Sequence, residues 1–181
     1  MIAKKREICL ILDNIRSVHN VGSIFRTADT LGISKIYCLG TAPVPVDRFG
    51  LKRKDFAKVS LGAEKSVAWE HVEDSGVSSD NKNVNRLMAT LKKEGFKIIA
   101  LEQSPRSVDY KKVKIGVSKK RGGVSTERER VAIILGNEVE GVSQKLLKLS
   151  DLIAEIPLVG KKESLNVSVS AGIFLYRLLD N

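Results

Sequence analysis

An α/β domain with a mainly parallel sheet is the fold class this chain predicts, and three observations predict it. Short runs rich in Ile, Val and Leu are nearly continuous rather than alternating, as in strands buried on both faces. Segments with helical spacing lie between those runs. Polar, glycine-containing residues follow several of them, at the strand carboxyl ends where such sheets bind ligands.

The strand-like runs are Ile8–Leu12, Ile36–Leu39, Phe96–Leu101, Val131–Leu135 and Leu152–Ile156. Helical patterns occupy Val21–Leu31, Val84–Lys93, Gln144–Leu149 and Asn166–Leu179. The first helix places Val21, Ile24, Phe25, Ala28 and Leu31 on one apolar face, with Asn20 as N-cap and Gly32 just past its end. In the last helix the core face is Val167, Ala171, Phe174, Leu175 and Leu178. Thr41 to Ser66, with two prolines and Gly62, reads as a long functional loop with one helical turn near Lys52–Val59. Ser75–Asn83 is a polar connector.

At 181 residues the chain is most simply one domain, 1–181, large enough for a sizeable core and with no internal repeat. No apolar run approaches the roughly 18–20 residues that span a bilayer. The N-terminal MIAKKREICLILDN faintly resembles a leader, but Asp13 and Asn14 interrupt its apolar stretch and no small-residue cleavage site follows. It reads as a first strand, and the protein as cytoplasmic. Cys9 and Cys38 lie in strand-like runs and read as buried free thiols. The scattered two His and two Cys offer no metal-ligand spacing.

The net charge of +10 favours a polyanionic partner. It is clustered: residues 48–58 hold five basic side chains, and residues 111–130 hold eight against two Glu. No basic amphipathic helix with an aromatic face is present, so nucleic acid is favoured over a membrane surface.

Three segments carry the chemistry. In Asn14–Asp29, Arg26 leans back over Gly22 and Ser23, both small, beside a capped helix start. That arrangement suits a phosphate, and on its own it also suits an ordinary surface arginine. In Ile134–Ser143, Gly136 and Gly141 bracket Glu138 and Glu140. This suits close backbone approach to a cofactor plus one functional acid, or a plain strand-to-helix turn capped by Ser143. In Ile156–Leu178, Ser164 and Asn166 stand at a helix start. Gly160 and Lys161 do not make a phosphate loop, because Glu155 stands where its first glycine belongs and Lys162 replaces Ser/Thr. No G-x-G-x-x-G occurs, so a conventional Rossmann dinucleotide site is unsupported.

Taken in order, the segments resemble the SpoU/TrmH family of RNA 2′-O-ribose methyltransferases, of the SPOUT class. The motifs are N-x-G-x-x-x-R at Asn20–Arg26, G-N-E-x-x-G at Gly136–Gly141 and I-P-x-x-G-x-x-x-S-L-N-V-S at Ile156–Ser168. The resemblance covers essentially the whole chain. It implies a C-terminal trefoil knot, an S-adenosylmethionine cofactor, a tRNA or rRNA substrate and a homodimer. Carried over by motif, Asn20, Arg26, Glu138, Ser164 and Asn166 are the catalytic candidates. Leu101, Glu102, Gly136, Asn137, Gly141, Ile156, Leu158 and Leu165 are the cofactor-binding candidates, and no metal is involved.

The resemblance points to Arg26 as the group that assists loss of the hydroxyl proton. A neutral arginine near pH 7 would cost on the order of 8 kcal/mol, since its pKa is about 12.5–13.8. Phosphate binding and stabilisation of the developing alkoxide is the preferred role. With no separate N-terminal RNA-binding domain expected, the basic loops, Lys111–Arg130 among them, are the expected RNA surfaces. Competing readings are a SPOUT base methyltransferase and a non-catalytic RNA-binding or ribosome-assembly module of the same fold.

Overall fold

The computed structural model describes residues 6–73, 81–115 and 129–180. Its strands are β1 (Arg6–Asp13), β2 (Lys35–Leu39), β3 (Ala68–Val72), β4 (Lys97–Leu101), β5 (Val108–Asp109), β6 (Glu129–Leu135) and β7 (Leu152–Glu155). The helices are α1 (Val18–Leu31), α2 (Lys54–Ser60), α3 (Ala63–Ser66), α4 (Lys82–Lys93), α5 (Gln144–Leu149) and α6 (Val167–Leu179). They flank one seven-stranded sheet of order β3-β2-β1-β6-β4-β7-β5, in which every pairing is parallel.

The continuous apolar runs have a direct structural cause. Ile8, Leu10 and Leu12 of β1, with Val131, Ile133 and Leu135 of β6, face one core with α1, α6 and Phe56 of α2. Cys9 and Ile11, with Ala132 and Ile134, face a second core under α4 and α5. Both faces of the central strands are covered, so neither can carry polar residues. Burial pushes the thiols of Cys9 and Cys38 up to about 12, with Glu7 adding to the effect at Cys9.

From β1 the chain steps outward through β2 to β3, then crosses to the other side of β1. There β6 enters between β1 and β4, and β7 between β4 and β5. Direction reverses at β1, and the crevice above such a reversal is where open parallel sheets bind ligands.

Four expectations need correction. α1 begins at Val18, one turn earlier than expected, because Ser17 and not Asn20 is its N-cap; Ser17 Oγ accepts the Asn20 N–H at 3.2 Å. Its end is as expected, with Gly32 in the left-handed region at φ 65°. The Thr41–Ser66 segment holds α2 and α3, not one turn. Strand β3 was not anticipated, since it is a largely exposed edge with the mixed sequence AWEHV and no apolar run. Neither was β5, which is too short to leave a pattern. Most of the Ser75–Asn83 connector and most of the basic Lys111–Arg130 stretch fall outside the described residues.

Candidate active site

The ends of β1, β2 and β6 are fastened to one another by Asp13 and Asn14. Asp13 is buried, and its Oδ2 accepts the Ser143 N–H at 2.7 Å. Asn14 sits at φ 54°, a left-handed conformation that asparagine tolerates better than most residues. Its Oδ1 accepts the Thr41 N–H at 3.1 Å, and its carbonyl accepts Asn137 Nδ2 at 2.6 Å.

Past β6 the chain folds into a tight loop closed by two backbone bonds between Asn137 and Gly141, of 2.9 and 3.0 Å. Asn137 Oδ1 accepts the N–H groups of Val139 and Glu140. The two bracketing glycines allow chain to cross chain. A Cβ on Gly136 would collide with the Gly141 backbone, and one on Gly141, at φ +69°, with the Glu102 carboxylate. Both glycines are thus needed where chain meets chain within the protein.

The loop turns Glu138 outward to the start of α1. Its Oε2 accepts the Arg16 N–H and its Oε1 the Ser17 N–H, each at 3.1 Å, while Asn20 Nδ2 donates to Oε1 at 2.8 Å. Partial burial pushes this carboxyl upward, but the Asn20, Arg16 and Ser17 bonds outweigh it and hold Glu138 below the ordinary carboxylate range. From the opposite side Asn166 Nδ2 donates to Asn20 Oδ1 at 3.0 Å. Asn166 caps α6, its Oδ1 accepting the N–H of Ser168 at 2.9 Å. One residue from each motif therefore meets in a chain of hydrogen bonds, Asn166 to Asn20 to Glu138.

That chain stands beside a cavity of about 530 Å³ at the carboxyl ends of β4, β6 and β7. All eight expected cofactor contacts line it, together with Glu138, Ser164 and Asn166. Its acids are Glu102, Glu138, Glu140, Glu155 and Glu163, and no Lys, Arg or His is among the lining residues described. An acidic hollow in a chain of net charge +10 suits a small cationic ligand and repels phosphate.

Glu102 is also tied to neighbouring backbone. Its Oε2 accepts the Val142 N–H at 2.7 Å and its Oε1 the Gln103 N–H at 2.9 Å, while Gln103 Nε2 donates to the Glu163 carbonyl at 2.9 Å. The carboxylate ties the loop after β4 to the loop after β6, and the Gln103 amide ties it on to the segment holding Glu163. Arg26 is apart from it: the side chain is exposed on α1, is absent from the lining, and makes no hydrogen bond or ion pair with the described residues. Nor does Gly22 form an open floor beneath it. A Cβ there would lie 2.8 Å from Val59 of α2, so the missing side chain admits α2 against α1.

Sequence reasoning missed Ser17, Asp13, Asn14 and Gln103. Ser17 had a signal, since S-V-H-N offers two caps three residues apart and Val18 already continues the apolar face. The other three act through contacts distant in sequence, which no local pattern announces.

Solved structures share this architecture. An AdoMet-bound rRNA methyltransferase from Sinorhizobium meliloti superposes with a TM-score of 0.74 over 94% of this chain and 55% of its own, at 23% identity. The A. aeolicus TrmH/SpoU tRNA modifying enzyme does so at 0.71 and 29% identity, over 96% of this chain and 75% of its own. In sequence, the tRNA (guanosine(18)-2′-O)-methyltransferase of Aquifex aeolicus (strain VF5) is 28% identical over 173 residues, 96% of this chain and 69% of that protein. The chain spans between 57% and 69% of the length of such curated relatives.

The fold is thus that of the SPOUT class of methyltransferase domains. Within that class the chain belongs to the SpoU rRNA Methylase family, whose model matches residues 7–176.

Proposed function

We propose that this chain transfers a methyl group from S-adenosylmethionine to a ribose 2′-OH of tRNA or rRNA. The observation that carries the reading is the Asn166–Asn20–Glu138 chain beside an acidic cavity of about 530 Å³. That volume lies within the usual range for small-molecule sites. The cofactor bears a sulfonium and an ammonium against one carboxylate, which matches a lining of glutamates without basic side chains.

Leu101, Gly136, Asn137, Gly141, Ile156, Leu158 and Leu165 would hold the cofactor, with Glu102 keeping their loops in place. When bound, S-adenosylmethionine supplies an electrophilic methyl on a cationic sulfur. The protein's part is to bring the ribose into line with it, and such positioning supplies much of the rate in a displacement of this kind. Asn20, Ser164 and Asn166 orient the ribose; Glu138 fixes Asn20. Arg26, without a protein partner among the described residues, is free to bind the phosphate beside the target ribose and to stabilise charge developing on the oxygen. The basic clusters hold the rest of the RNA, where each phosphate contact adds salt-dependent affinity.

The chain acts as a homodimer. Val169, Ile173 and Tyr176 form an exposed apolar stripe at helical spacing on α6, the kind of surface that a second copy covers. The C-terminal region is a trefoil knot, for which the insertion of β6 and β7 among earlier strands is the supporting feature. The enzyme works on cytoplasmic RNA, and no helix among the described residues is long and apolar enough to cross a membrane.

Isothermal titration with S-adenosylmethionine tests the cavity assignment. Saturable binding at one site per chain is expected. Absence of binding by folded protein would leave a non-catalytic RNA-binding module as the better account.

A further inference from the structure

The segment between β2 and α2 carries a feature that the cavity does not use. Val46 and Lys52 form an antiparallel bridge that closes a tight turn, with Asp47 N–H donating to the Leu51 carbonyl at 2.8 Å and Gly50 N–H to the Asp47 carbonyl at 3.0 Å. Asp47 Oδ1 accepts the N–H groups of both Phe49 and Leu51 at 2.9 Å. Arg53 N–H donates to the Pro45 carbonyl, fastening the base of the turn. An ordered turn thus holds Phe49 72% exposed and Leu51 65% exposed, although side chains of this kind are normally buried. The Arg48 guanidinium lies 4.7 Å from the Phe49 ring centroid, covering one face of the ring and leaving the other open.

The position of the turn matters as much as its make-up. It follows β2, so it rises from the carboxyl edge of the sheet that also holds the cavity. Its root is held by Asn14, whose Oδ1 accepts the Thr41 N–H and whose carbonyl accepts Asn137 Nδ2, next to Glu138. Arg48 and Lys52 belong to the turn and Lys54 and Lys58 follow in α2, while Arg53 is taken up by Asp55 at 2.6 Å.

We propose that the Val46–Lys52 turn is a stacking finger that takes an unpaired base of the RNA on the open face of Phe49. An exposed aromatic ring backed by a guanidinium, in a segment rich in lysine, is the usual means of holding single-stranded nucleic acid without reading its sequence. A base stacked there fixes the strand at a second point besides the target ribose. The inference rests on the reading of the protein as an RNA enzyme and deepens it, assigning single-stranded rather than helical RNA to this edge.

The test uses a fluorescein-labelled twelve-residue oligoadenylate and a blunt RNA duplex of equal length, titrated against the full chain. Phe49→Ala should weaken oligoadenylate binding by about tenfold, the scale of one lost base–aromatic stack. Duplex affinity and S-adenosylmethionine affinity should stay within twofold. Phe49→Trp should restore binding, and its indole emission should quench on adding oligoadenylate. Unchanged oligoadenylate affinity in Phe49→Ala would overturn the stacking role while leaving the RNA reading intact. If the same variant self-associated less in sedimentation, the tip would instead belong to a contact with a second copy. Failure of the unaltered chain to bind either RNA would overturn the finger and the RNA reading together.

Discussion

Asn166 donates to Asn20 at 3.0 Å, and Asn20 in turn donates to Glu138 at 2.8 Å, so the starts of α1 and α6 are held by one amide. Neither α1 nor α6 could shift without breaking a bond at the cavity rim. Asn20 is not itself a lining residue of the cavity although both its partners are, and Asn20→Ala removes both links. It should lower the rate of methyl transfer by about 10–100-fold, as a small misplacement of reacting groups does, with S-adenosylmethionine affinity changed less than twofold. A calorimetric Kd beside a tritium-transfer rate separates the two, and equal loss of both would mean that Asn20 supports the cavity itself.

The glycines of the β6 loop differ sharply from the glycine of the later motif. Gly136 has no room for a methyl group against the Gly141 backbone, whereas Gly160 has nothing within 4 Å of where a Cβ would stand. Gly136→Ala should therefore open the Asn137–Gly141 loop and abolish measurable S-adenosylmethionine binding. Gly160→Ala should bind like the unaltered chain. Comparable affinities in the two variants would contradict the loop's role.

Gly22 makes a separate point about packing. A Cβ there would lie 2.8 Å from both Cβ and Cγ1 of Val59 and 3.3 Å from the Ser60 nitrogen, so α1 and α2 must separate to admit it. Gly22→Ala should cost about 1–3 kcal/mol, the range for overpacking a well-filled contact, measured by urea unfolding. A stabilising effect, as expected for alanine in an open helix, would mean that α2 does not rest on this face.

Glu138 gives a pH dependence of definite sign. Its folded pKa is depressed, so its tie to α1 is complete at neutral pH and is lost as pH falls through the depressed value. The Arg16 and Ser17 amide resonances should move only in acid, below the roughly 4.3 of a free glutamate. A midpoint above about pH 5 would contradict the hydrogen bonding described.

Cys9 and Cys38 are buried, with thiol pKa values pushed up to about 12. Almost no thiolate exists at pH 8 or below. Iodoacetamide should label neither in the folded protein and both after unfolding, as followed by intact mass. Rapid labelling of the native chain would place one of these strands at an open surface.

How much of this was legible in the sequence depended on how local the cause was. The central strands announced themselves because burial on two faces forces an unbroken apolar run, as in Ile8–Leu12 and Val131–Leu135. β3 did not, since an exposed edge is free to read AWEHV. Glu138 and Asn166 stood out as polar residues at strand and helix ends, yet their meeting through Asn20 joins positions more than a hundred residues apart. Arg26 was singled out by motif, and the fold places it exposed on α1, outside the cavity lining. Gly136 and Gly141 stood out as sites of close approach, and the fold shows chain meeting chain at both, while both also line the cavity; spacing alone does not reveal how many neighbours come near.

The central claim is the site of methylation, and its most direct test is the chemistry of the product. Unmodified tRNA and rRNA would be incubated with the protein and methyl-labelled S-adenosylmethionine, then digested with a ribonuclease that needs a free 2′-OH. The account predicts that the label survives in a nuclease-resistant dinucleotide, and that Arg26→Lys retains more of it than Arg26→Ala. Label recovered in a mononucleotide, on the base, would contradict it.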